Sequence, residues 1–281
     1  MAKSREGRRL VGSHDLLCFD EEHTARALRF GFRFGKRGTH GSRSVMLSVL
    51  RSLLAATPPE ASYEDYRSAI LEDNVLGKAT ASTRLWTWKK LRELYGLDPR
   101  LPVFRCFRRL WENDSKGRPL LAILCACARD PILRTSAQVI FGTPHGSIVT
   151  SRDFSRAVAE AEPGRFSPTT LKAMGSRLYS SWTQSGHLTE GKVRRRTRPT
   201  VTPETTAYAL LLGRICGARG PSLFSTFWTE LLDAPKEELF DLATAAARRG
   251  WIDFKRVGEV VEVRFAGMLL PEEEEALREP H

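Results

Sequence analysis

No apolar run in this sequence approaches the roughly 20 residues that a membrane-spanning helix needs. The best candidate, residues 120–128, is stopped by Asp130-Pro131. Residues 1–10 are basic, but no apolar h-region follows them, so no signal peptide is expected. Cysteine is scarce: there are five, an odd number, and no pair has C-x-x-C spacing. That fits a reducing, cytoplasmic compartment. Cys125 and Cys127 lie in a strongly apolar stretch, where inert core thiols are expected. The histidines are scattered without an H-x-x-x-H pair, so no zinc site is expected. Catalytic signatures are missing too. There is no G-x-S-x-G, no H-E-x-x-H and no visible Ser/His/Asp arrangement. Asp130-Pro131, and His14 with Asp15, suggest capping or surface roles. The reading is therefore of a protein that is not an enzyme and carries no cofactor.

What is present is charge of one sign. The 281 residues carry a formal net charge of +11, with 41% hydrophobic residues, enough to bury a core. The excess is uneven: net +6 over residues 1–57, +3 over 58–162, +7 over 163–200 and −5 over 201–281. A general solubility surplus would be spread along the chain. A localised excess is the footprint of a polyanion-binding surface, and nucleic acid is the usual polyanion.

Periodicity and punctuation predict a mainly α protein: a helical bundle plus winged helix-turn-helix-like units with small β-hairpins. Residues 1–57 form a basic N-terminal arm and helix. Within them, the Gly-rich basic stretch 35–43 matches neither a Walker A loop nor a dinucleotide fingerprint. It reads either as a solvated loop before a helix over 44–56, or as a flexible basic arm carrying Lys36, Arg37 and Arg43 to a phosphate backbone. Residues 58–148 read as an all-α domain. There Ser62-x-x-Asp65 resembles a capping box. A helix over 80–95 places Leu85, Trp88, Leu91 and Tyr95 on one stripe and ends at Gly96, with Lys89, Lys90 and Arg92 on its solvated side. Residues 119–129 are apolar nearly all round, as a buried central helix would be.

Residues 149–200 read as a winged unit. A helix over 151–160 is followed by Ser167-Pro168, an N-cap with proline at N1. The second helix carries Leu171, Met174, Leu178 and Trp182 at three- and four-residue steps, and Trp182 reads as core in preference to a stacking residue. A basic hairpin-like tail follows. On a winged helix the second helix enters the major groove. Thr169, Thr170, Lys172, Ser176 and Arg177 are then the residues able to reach bases or phosphates. Lys192, Arg194, Arg195, Arg196 and Arg198 form a wing on the backbone, where they give affinity without sequence. Five such contacts predict a salt slope of roughly −4 to −5. The alternative is a basic loop with no specific partner.

Residues 201–281 repeat the order: helices over 206–216, 222–232 and 235–249, then strands 251–256 and 259–265 about Val257-Gly258. Val261, Val263 and Phe265 alternate with Glu262 and Arg264, the pattern of a half-buried strand. The third helix opens with Glu237, Glu238 and Asp241, which stabilise a helix N-terminus and repel phosphate. This unit reads as a structural or protein-contacting module, with residues 272–275 solvated.

Over residues 66–111 the chain contains Ile70, Asp73-Asn74-x-Leu76, then Thr80-x-x-Thr83-Arg84 and a helix. This pattern, continued through residues 119–130, resembles the BrxA proteins of BREX phage-defence systems, over roughly residues 45–200. The resemblance implies a small, non-enzymatic, helical DNA-binding accessory of an anti-phage system. Members of that family have also been likened to an RNA-binding antitermination protein. Residues 201–281, acidic, extend beyond the pattern. The expected partner is double-stranded DNA, together with other defence-system proteins. The other readings are an adaptor holding defence subunits, a winged-helix transcription regulator, or an RNA-binding antitermination-like protein. Asn74, Thr83 and Arg84 match the family pattern, and Asn74 near a helix end reads as a cap.

Overall fold

The structure, a computed structural model, describes residues 21–35 and 38–278. It is mainly helical, and its regular β-structure comprises two short antiparallel pairings. No helix among the described residues is long and apolar enough to cross a membrane.

Local punctuation sets most helix ends. Helix α1 (Glu21–Phe30) and α2 (Leu47–Ala56) precede α3 (Tyr63–Leu71), which opens on a complete Ser62/Asp65 capping box. Helix α4 (Ala81–Tyr95) is capped by Thr80 and closed by Gly96, whose φ of 90° only glycine adopts without strain. Asn74, at φ 52°, accepts from Lys78 N and donates to Lys78 O, so it organises the loop before α4. Two expectations fail here. Helix α2 starts at Leu47, not at residue 44, because Met46 is left-handed (φ 53°). Leu85 points outward, 44% exposed, because the buried face of α4 is Thr87, Trp88, Leu91, Leu94 and Tyr95. Its first turn projects into solvent.

Helix α5 (Pro102–Asn113) packs against α6 (Arg118–Arg129), in which every residue from Leu120 to Arg129 is buried. Helix α7 (Pro131–Gly142) follows directly, with Asp130 Oδ1 accepting from the N–H groups of Ile132 and Leu133. Strand β1 (Ile148–Val149) leads into α8 (Ser151–Ala161), and α9 (Pro168–Gln184) starts on the Ser167 cap. Strand β2 (Arg194–Arg195) then returns to pair with β1, and a bridge joins Leu188 to Arg196. This is a winged helix whose small sheet takes a strand from ahead of α8, and α7 packs on α8 as its first helix. The expected division between residues 148 and 149 falls inside β1.

Helix α10 (Pro203–Ile215) opens the second unit but lies at the centre of the molecule. Leu210, Leu211 and Leu212 are each 0% exposed. Three successive positions, about 100° apart, span about 200° of a helix, so all of them can be buried only when neighbours cover more than one face. Those neighbours are α5, α6 and α1, together with α11 (Phe227–Glu230) and α12 (Lys236–Arg248). One continuous buried cluster therefore runs from Ala27 to Leu277.

The helix expected over 222–232 is instead a 3-10 turn (Gly220–Ser225) followed by α11, because Thr226 is extended and caps a new start. Strands β3 (Asp253–Val257) and β4 (Val260–Arg264) pair with Val257 opposite Val260. Their turn is thus Gly258-Glu259, one residue later than expected, with Gly258 at φ 57°. In the short helix α13 (Pro271–Glu275), Glu273 pairs with Arg105 and Glu274 accepts from Phe265 N, whereas Glu272 and Glu275 are exposed, so the acidic tail is only partly solvated.

Candidate nucleic-acid interface

The second helix of the first winged unit, α9, keeps one face in the core through Met174, Leu178 and Trp182. Trp182 is fully buried and donates from Nε1 to Ser136 Oγ at 2.8 Å. The opposite stripe, Thr169, Lys172 and Ser176, is exposed. No acidic residue lies in the first turn, and the N-terminus of the helix carries the positive end of its dipole. Thr170 is half-buried, its N–H donating to Ser167 Oγ, and it acts in the cap. Arg177 is half-buried and donates to Gly41 O at 2.5 Å.

The wing divides. Lys192 and Arg195 are exposed, and Arg195 also donates to Gly146 O. Arg194 lies over the Tyr179 ring at 4.2 Å and donates to Thr183 Oγ1, which fastens the wing to α9. Of the other two expected wing residues, Arg196 is turned inward and Arg198 is exposed but paired. Arg196 is only 4% exposed, donates to Ile140 O and His187 O, and pairs with Asp233 at 2.8 Å. Burial lowers its pKa, against the Asp233 charge that raises it. Arg198 pairs with Glu238 at 2.6 Å. The acidic start of α12 thus binds the base of the wing.

Arginine burial is general here. Arg26, Arg108, Arg129, Arg134 and Arg196 are all buried. Arg134 donates to Cys127 O and Arg33 O, and burial pushes its pKa down to about 10. The formal charge therefore overstates the surface charge.

The Gly-rich basic stretch is neither a solvated loop nor a free arm where it is described; Lys36 and Arg37 lie outside the described residues. Thr39 and His40 are 2% and 0% exposed. Gly38 sits so close to Asp130 that a Cβ would overlap the carboxylate. His40 Nδ1 lies 2.8 Å from Asp130 Oδ2, and Nε2 lies 2.8 Å from Ser181 Oγ. This is a Ser/His/Asp arrangement that residues 130 and 181 gave no local sign of. It is sealed: Ser181, His40 and Asp130 are 0, 0 and 1% exposed, and Ser181 Oγ already accepts from Val45 N. No substrate reaches that oxygen, and the constellation locks the N-terminal segment onto α7 and α9. Burial would raise the pKa of Asp130, but His40 and the N–H donors around the carboxylate outweigh it, and the net shift is downward. Arg43, at the outer end of this segment, is exposed.

A second buried histidine ties the two winged units together. His187 Nε2 donates to Leu231 O and Nδ1 accepts from Ser185 Oγ, both at 2.8 Å. Burial pushes its pKa from 6.5 down to about 4. An unfolded chain binds that proton between pH 6.5 and 4, whereas the folded protein does not. The stabilisation is therefore complete above pH 6.5 and lost as pH falls toward 4. Thermal melts should show Tm declining through that window, and less steeply in His187→Gln. A Tm that is flat there in the unaltered protein would contradict the assignment.

The described cysteines are inert: burial raises the thiols of Cys106, Cys125 and Cys216 to about 12 and that of Cys127 further. No group of three or more metal-ligating side chains occurs among the described residues. No protein-family model matches the chain, and no curated protein matches it.

Proposed function

We propose that this protein binds double-stranded DNA through the first winged unit, with α9 in the major groove and the wing on the backbone, and acts without catalysis as an accessory of an anti-phage defence system. One observation carries the binding reading. The stripe Thr169, Lys172 and Ser176 and the wing residues Lys192 and Arg195 are all exposed on a helix-turn-helix scaffold, with no acid in the first turn of α9 and Glu190 as the single acid of the wing. Thr169 and Ser176 can hydrogen-bond base edges, and the cations neutralise phosphates. The defence role follows from the resemblance to BrxA proteins.

A titration of labelled duplex DNA at several salt concentrations tests the binding. Lys172, Lys192 and Arg195 together contribute about −3 to the slope of log K against log salt. Absence of binding at low salt would overturn the proposal, and tighter binding of duplex RNA would favour the antitermination-like reading.

The second unit suits a protein partner. Its α12 opens with acid, and its hairpin tip presents Val257 and Val260 at 81% and 72% exposure.

A further inference from the structure

Helix α4 carries an exposed aromatic residue that the winged unit does not use. Trp86 is 36% exposed, whereas Trp88, Trp111, Trp182, Trp228 and Trp251 are all buried. Two cations from different segments lie over its ring: Lys90 Nζ at 4.6 Å and the Arg43 guanidinium at 5.3 Å from the centroid. Lys89, next on the helix, is exposed, as is Leu85. Lys90 is half-buried and pairs at 2.7 Å with Glu93, which also accepts from Thr39 Oγ1, so Arg43 and Lys89 are the exposed cations of the group.

This shelf is joined to α9 by the chain between them. Arg177 of α9 donates to Gly41 O; Arg43 follows two residues later and reaches Trp86. Beyond it, Gln184 Oε1 accepts from Leu47 N, so residues 39–47 lie along α9. Arg177 is one residue, about 100° of helix, from the exposed Ser176, which places the shelf beside the reading face. The Ser181–His40–Asp130 lock fixes that spacing.

We propose that the Arg43–Trp86–Lys89–Lys90 shelf is a second contact for the DNA backbone, beside the segment that α9 enters. The indole, beside the Lys90–Glu93 pair, holds Arg43 in place, and the exposed Arg43 and Lys89 meet phosphates. The inference rests on the proposed DNA-binding reading, and it adds a footprint longer than one winged helix covers. The duplex must extend past the α9 site for the shelf to engage.

Trp86 reports on this directly, because it is the one exposed tryptophan of six. Acrylamide quenching of the unaltered protein should show an accessible component that is missing in Trp86→Phe. A duplex of about two turns should protect that component, and one of about one turn, roughly 10 base pairs, should leave it accessible. Arg43→Gln combined with Lys89→Gln, both exposed, should make the salt slope for the longer duplex shallower by about 2 and weaken binding roughly tenfold. The shorter duplex should bind this variant as it binds the unaltered protein. If both duplexes bind and Trp86 remains equally quenchable, the shelf is overturned while DNA binding by α9 stands. If neither duplex binds, the DNA-binding reading itself falls, and the shelf with it.

Discussion

Replacing His40 by alanine should destabilise the protein by about 2–4 kcal/mol, through two buried hydrogen bonds whose remaining partners each lose a contact. The imidazole is fully buried and touches two elements at once, Asp130 ahead of α7 and Ser181 in α9. Its loss leaves a cavity, a carboxylate short of one donor, and a Ser181 hydroxyl short of one partner. Asp130 keeps the backbone N–H groups of His40, Ile132 and Leu133, so its charge is not stranded. Ser181→Ala should cost less, about 1–3 kcal/mol, through the Val45 N–H it leaves unpaired. Urea denaturation measures both. A His40→Ala loss below about 1 kcal/mol would be that of a single ordinary hydrogen bond and would refute the lock.

The second large effect is expected at Gly175, on the face of α9 that meets α8. A Cβ built there would overlap Ser155 Oγ and the Ser151 carbonyl, and would stand 3.0 Å from Ser155 N. On an isolated helix, Gly→Ala stabilises by about 1 kcal/mol. Here two of the three obstructing atoms are backbone and cannot rotate away, so Gly175→Ala should destabilise and Gly175→Val should cost about 3 kcal/mol. Ser155→Gly should relieve only the side-chain part of the clash. Because the α8–α9 seam sets how far the reading face projects, duplex affinity should fall in Gly175→Val even where the variant remains folded. A neutral or stabilising Gly175→Ala would show that the two helices are less tightly seated.

Features that depend on a few neighbouring residues were legible in the sequence. The Ser62/Asp65 box, the Thr80 and Ser167 caps, Gly96 and the all-round apolarity of α6 each have a local cause, and the structure has all of them. The mainly helical fold with small hairpins follows from such features. Features set by distant partners were not legible. His40 meets residues 90 and 141 positions away, and no periodicity signals that. Strand β1 is two residues long, too short to show alternation. Arg196 looks like its neighbours Arg194 and Arg195, and only the approach of Asp233 from the second unit turns it inward. Likewise, the run Leu210 to Leu212 could have marked α10 as a central helix, but reading residues 201–281 as a separate unit hid that signal. Arginine is the general difficulty, because its long stem and five donors suit buried carbonyls as well as phosphates.

Duplex DNA is proposed to bind a local footprint on α9 and the wing, as distinct from the net charge of the whole chain. The most direct test compares salt titrations of three proteins. In one, Lys172, Lys192 and Arg195 become alanine; in the second, Lys236, Arg248 and Lys255, also exposed residues of the second unit, do so; the third is unaltered. Both variants lose the same charge. The slope should be shallower by about 3 in the first variant and unchanged in the second. Equal changes in both variants would make the binding a property of overall charge and would contradict a local footprint.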